Sequence, residues 1–105
     1  MKKFKWEVKD QTIIARGNSI LRFHIAAKEA YLVMGASTPA NISITLNGQP
    51  ISTEGAAGSD VKQSIVTVFG NRLYRLVSYD KFRDNGIIEL SVPDGTELNA
   101  FTFGS

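Results

Sequence analysis

Asn41-Ile42-Ser43-Ile44-Thr45-Leu46-Asn47-Gly48-Gln49 is the stretch that decides how this chain folds. Side chains alternate faces along a strand, so Ile42, Ile44 and Leu46 point one way and Ser43 and Thr45 the other. β-branched residues favour the pleated conformation. Asn47-Gly48 follows at once, and both residues tolerate the positive φ that a type I′ hairpin turn demands. The reading is a half-buried strand over Asn41–Leu46, a two-residue turn, and a return strand over Gln49–Ser52.

The same period of two recurs on both sides of this hairpin. Phe4, Trp6 and Val8 oppose Lys5, Glu7 and Lys9, and Thr12–Ala15 is a short second strand. In Ser19–Ala27, Leu21, Phe23 and Ile25 share one face, while Ile20, Arg22, His24 and Ala26 share the other. Lys28-Glu29 reads as a tight connection into the apolar strand Ala30–Ala36, which makes a second hairpin. Thr53–Val61, rich in glycine and small residues, reads as a mobile surface loop. Further strands follow over Ser64–Phe69, Arg72–Tyr79, Gly86–Val92 and Leu98–Phe103. They are punctuated by Gly70-Asn71, Asp84-Asn85-Gly86 and Pro93-Asp94-Gly95. About eight to nine strands with turns every 8–12 residues predict an all-β chain, a two-sheet antiparallel β-sandwich of the jelly-roll kind. No domain boundary interrupts residues 1–105.

Composition narrows the function. The chain has 105 residues, 43% hydrophobic and 21% charged, enough for one core without staples. Net charge is +2, from 12 basic and 10 acidic residues, and much of the excess is Lys2, Lys3 and Lys5. The arginines are scattered, so no basic stripe points to nucleic acid. The absence of cysteine excludes a dithiol centre, a disulfide framework and thiolate zinc sites in this chain. No run approaches the roughly 18 apolar residues of a membrane span, so direct membrane insertion is not expected. Phe4–Asp10 alternates with charge and does not form a secretory h-region. The chain is therefore either cytoplasmic or a piece of a longer protein.

Catalytic constellations are missing. His24 is the one histidine, placed mid-strand and away from any activated serine. A lone histidine cannot hold zinc without cysteines or clustered carboxylates. Most acidic residues lie in or beside turns, where Asp is favoured for backbone reasons. A structural calcium held around Asp80–Asp84 is the one metal arrangement the sequence leaves open. We therefore expect no enzyme, no cofactor and no catalytic residue. The aromatic residues offer more, because their faces stack on sugar rings and anchor protein partners. Trp6, Tyr31, Tyr74 and Tyr79, with polar neighbours Arg22, His24, Asn41 and Arg75, are the expected ligand-binding set.

Several segments together resemble a known family. They are Trp6, Leu21-x-Phe23 with Ala26 or Ala27, Tyr31-Leu32-Val33-Met34-Gly35, and Leu46-Asn47-Gly48-Gln49-Pro50. Further along come Gly58-x-Asp60-Val61, Arg72-Leu73-Tyr74-Arg75-Leu76-Val77, and Ala100-Phe101-Thr102-Phe103-Gly104. Their order and spacing are similar to the C-terminal domain attached to thioredoxin-like modules, as in DipZ-type proteins. The resemblance implies a fold of carbohydrate-binding-module type, a periplasmic or otherwise extracytoplasmic setting, and carbohydrate as a ligand. It also implies that this chain is a C-terminal fragment of a longer protein. The redox cysteines of such proteins lie in the thioredoxin module, so no catalytic residue carries over. The rival expectation is a structural module that docks on the thioredoxin domain or on a client protein.

Overall fold

The computed structural model describes residues 6–9 and 12–104, with side chains from Ile13 to Gly104. Among them there is no helix. The strands are β1 (Trp6–Lys9), β2 (Thr12–Ala15), β3 (Ser19–Gly35), β4 (Ala40–Leu46), β5 (Gln49–Pro50), β6 (Val61–Lys62), β7 (Ile65–Val68), β8 (Arg72–Val92) and β9 (Glu97–Gly104). All pair antiparallel, in the order β1-β2-β9-β3-β8-β4-β7-β6, with β5 beside β4.

The Asn47-Gly48 hairpin forms as expected. Asn47 and Gly48 adopt φ of +52° and +83°, and Leu46 faces Gln49. The hairpin expected at Lys28-Glu29 does not form. Ser19–Gly35 is one strand of 17 residues, and Arg72–Val92 is one of 21. These two pair with each other along nearly their whole length. The reason is that Lys28-Glu29 lacks a residue that relieves φ, and charged side chains are tolerated where a strand bends through solvent. Asp84-Asn85-Gly86 likewise gives a bulge and not a turn. Asp84 and Asn85 stand opposite the single Ala26, as Tyr79, Asp80, Lys81 and Phe82 stand opposite the single Lys28, and such extra residues bend and twist a strand.

That bend explains the architecture. The sequence predicts two separate sheets, whereas the ladder runs unbroken through one sheet that curls on itself. The N-terminal half of β3 and the C-terminal half of β8 continue into β4, β7 and β6. The other halves continue into β9, β2 and β1. Phe23 on one half meets Phe101 on the other with ring centroids 4.2 Å apart, so the halves face each other. Ile42, Ile44, Leu46, Ile88 and Leu90 share one core with Leu32, Met34, Tyr74 and Leu76. Each fully buried aliphatic side chain contributes about 1.5–3 kcal/mol.

Residues 53–61 are not a free loop. Gly58 N–H donates to Leu76 O at 3.0 Å and Ser78 N–H to Ala56 O at 2.9 Å, so the segment caps the second edge of β8. Gly58 is required there, since a Cβ would lie 2.3 Å from the Arg75 carbonyl oxygen. Ile51 and Ala56 are buried beneath.

Candidate functional site: the outward face of the β3–β8–β4–β7 half-sheet

Register places the outward residues of this half in rows. Ile20 stands beside Ser91, then Ser43, then Ile65; Arg22 stands beside Glu89, then Thr45; His24 stands beside Ile87. Asn41 faces Thr67, whose hydroxyl donates to Asn41 Oδ1 at 2.7 Å. The inward partners Ile42, Ile44, Val66, Ile88 and Leu90 are buried, which fixes the register and so the outward set. Arg22 sends Nε and Nη2 to one Glu89 oxygen, at 3.0 and 2.7 Å. The arginine side chain remains 61% exposed, so its charge still meets solvent. His24 Nε2 bonds the Asp84 carbonyl oxygen, which requires a proton on that nitrogen.

The face is not flat. One depression of about 330 Å³ lies among Asn18, Ile20, Asn41, Ser43, Ser91 and Pro93. A second, of about 360 Å³, lies among Arg22, Thr45, Asn47, Ile87 and Glu89. Round the end of β4, Asn47 also borders a cleft of about 320 Å³ with Glu54, Tyr79, Asp80, Arg83 and Asn85. Tyr79 forms the wall of this cleft, under the Arg83 guanidinium 5.2 Å from its ring. Burial pushes the Tyr79 phenol up, against the opposing pull of Arg83. The Arg83 guanidinium bonds Asp80 at 3.1 Å and holds its carboxyl below the ordinary range. At the opposite end of the face β7 stops at Val68 and is followed by Phe69, which is 62% exposed.

Of the residues expected from sequence, Arg22, His24 and Asn41 lie on this face and Tyr79 lines the cleft at its end. Tyr31 and Arg75 lie on the other half, opposite each other in the ladder. The Tyr31 hydroxyl donates to the Glu29 carboxylate, which raises the phenol's pKa, and the Arg75 guanidinium stands 5.6 Å from its ring. Tyr74 does not serve as a surface platform. It is 1% exposed, its hydroxyl accepts from Phe69 N–H at 3.0 Å, and it faces the Phe69 and Gly70 carbonyl oxygens at 3.1 Å. The expected set therefore does not form one cluster. The side chain of Trp6 lies outside the described residues. Near Asp80–Asp84 no three acidic or histidine side chains converge among the described residues. Phe69, Ser43, Ser91 and Arg83 were not in the expected set; alternation already turned Ser43 outward, and no comparable signal marks Phe69 or Arg83.

Fold and face define a class, an antiparallel β domain that presents a shaped polar sheet surface. The family described as thioredoxin-like C-terminal domain matches residues 4–104, and the chain belongs to it. It is thus an accessory domain of thioredoxin-like proteins, and with no cysteine it carries none of their thiol chemistry. No curated protein matches the chain. No helix among the described residues is long and apolar enough to cross a membrane.

Proposed function

We propose that this domain is a non-catalytic binding module of a thioredoxin-like protein, and that saccharide binds its polar half-sheet in the manner of a carbohydrate-binding module. One observation carries the reading. The outward positions of adjacent strands hold Asn41, Ser43, Thr45 and Ser91 beside the Arg22–Glu89 pair, in depressions of ligand size. Sugar hydroxyls donate and accept at once, and these groups answer both needs. Held on paired strands, they lose little freedom on binding. Phe69 supplies an exposed ring for the C–H face of a pyranose. The family resemblance supports an extracytoplasmic setting for the parent protein. The test is calorimetric titration of the chain against a panel of glycans, repeated with Ser43→Ala/Ser91→Ala. Binding that the double substitution weakens about tenfold supports the site. A panel that gives no heat and no chemical-shift change removes it.

A second reading rests on a different surface. Phe103 is 50% exposed and stacks along Phe101, 6.2 Å away, next to half-buried Phe23, Leu21 and Ile13. Such an apolar seam suits docking on the thioredoxin module. Phe103→Ser would then weaken association between the separately produced thioredoxin module and this domain, and unchanged association would dismiss it.

A further inference from the structure

The depressions on the polar face follow one another along β4. Asn47 borders both the Arg22–Glu89 depression and the Tyr79–Arg83 cleft. The Ser43–Ser91 row and the Thr45–Glu89 row are successive outward rows of the same strands. Asn41 joins the Ser43 depression to a further one of about 290 Å³ beneath Ser37, Thr38 and Pro39. Phe69, an exposed aromatic, follows Val68, and Val68 faces Ala40, so Phe69 lies next to that end of β4. The result is one polar track along β4, from Phe69 and Asn41, past Ser43 and Thr45, to Asn47 and the Arg83 cleft. At about 3.3–3.4 Å per strand residue, Asn41 to Asn47 alone spans about 20 Å. That is longer than one or two sugar rings.

The ends differ chemically. Phe69 offers a bare aromatic face and no charge of its own. The far cleft offers the Arg83 guanidinium, the carboxylates of Glu54 and Asp80, and the Asn85 amide, a set suited to the several free hydroxyls of a chain terminus. The walls between are hydroxyl and amide, with exposed Ile87 as the apolar contact. The middle of the track thus fits repeating units.

Resting on the saccharide reading above, we infer that the ligand is an extended oligosaccharide lying along β4, stacked on Phe69 at one end and hydrogen-bonded in the Arg83–Glu54 cleft at the other.

The test titrates the 105-residue chain with cello-, chito- and malto-oligosaccharide ladders, each from monosaccharide to hexasaccharide. For at least one ladder, affinity should rise by about tenfold or more between the monosaccharide and the hexasaccharide. Phe69→Ala and Glu54→Gln should each weaken the long members several-fold, with an additive loss in the double variant, since the sites are far apart. Melting curves of the variants establish that they are folded. Binding that Ser43→Ala/Ser91→Ala abolishes, but that is as tight for the monosaccharide as for the hexasaccharide, overturns the inference and leaves the binding function standing. So does length-dependent binding that neither end variant changes. No binding by any ladder removes both.

Discussion

Asn47 grips Ile87 twice. Its backbone N–H donates to the Ile87 carbonyl oxygen at 2.8 Å, and its side-chain Oδ1 accepts from the Ile87 N–H at 2.9 Å. The turn residue thereby extends the β4–β8 ladder by one more pair at the place where the depression meets the cleft. Asn47→Gly keeps the positive φ but loses the side-chain bond. It should destabilise the chain by about 0.5–1.5 kcal/mol in urea titration. It should also broaden the amide resonances of Ile87 and its neighbours.

Phe69 and Tyr74 make an opposed pair. Phe69→Ala removes an exposed ring, so its cost in stability should stay within about 0.5 kcal/mol while saccharide binding falls. Tyr74→Phe keeps the ring but strips the buried hydroxyl from Phe69 N–H and from the Phe69 and Gly70 carbonyls. It should cost about 1–3 kcal/mol and leave the polar face intact. Chemical denaturation and titration, run side by side, separate the two effects.

Acid should unpick one edge. Partial burial pushes the Asp60 carboxyl up, yet the Arg75 N–H at 2.8 Å and the Arg72 guanidinium at 3.1 Å outweigh it and hold it below the usual range. A group depressed on folding contributes stability above its unfolded pKa of about 3.9, and that contribution is lost as pH falls through the folded value. Melting temperature should therefore drop below about pH 4 in the native chain. The drop should be shallower in Asp60→Asn, whose stability at neutral pH starts lower.

Thr96, in the turn before β9, is 0% exposed and its hydroxyl has no partner among the described residues. Thr96→Val keeps the shape and discards the unpaired group. It should raise stability by about 1 kcal/mol, read as a higher denaturation midpoint at unchanged slope.

Much of this face was legible beforehand. Strict alternation over Asn41–Leu46 and Ile20–Ile25 put Ser43, Thr45, Arg22 and His24 outward, because a period of two has one solution once one face is apolar. Asn47-Gly48 announced its turn for an equally local reason. The lost information is non-local. A single extra residue in β8, Leu76, puts both Leu76 and Val77 inside and interrupts the simple alternation of a strand over Arg72–Tyr79. Nothing within Tyr79–Phe82 states that those residues bulge instead of turning, since that depends on Lys28 across the ladder. Tyr74 was misplaced because an aromatic with a polar tip suits a surface as well as a buried bond. The Gln63-Ser64 turn, with φ of +51° and +65° in residues that rarely adopt it, gave no compositional sign. Its support is a reciprocal pair of bonds between Ser52 and Ser64 backbone N–H groups and hydroxyls.

Because β3 and β8 run through both halves of the curled sheet, neither half keeps its central strands if the other opens. The molecule should lack a half-melted form. Amides as distant as Leu21 and Leu32 should exchange with deuterium through the same rare event, at one shared rate under conditions where reclosing is slow. Assembly must bring Arg22 to Glu89 across 67 positions of chain before either half is secure, so refolding should be a slow, single-phase process. Protease cleavage within β3 would release the whole domain at once.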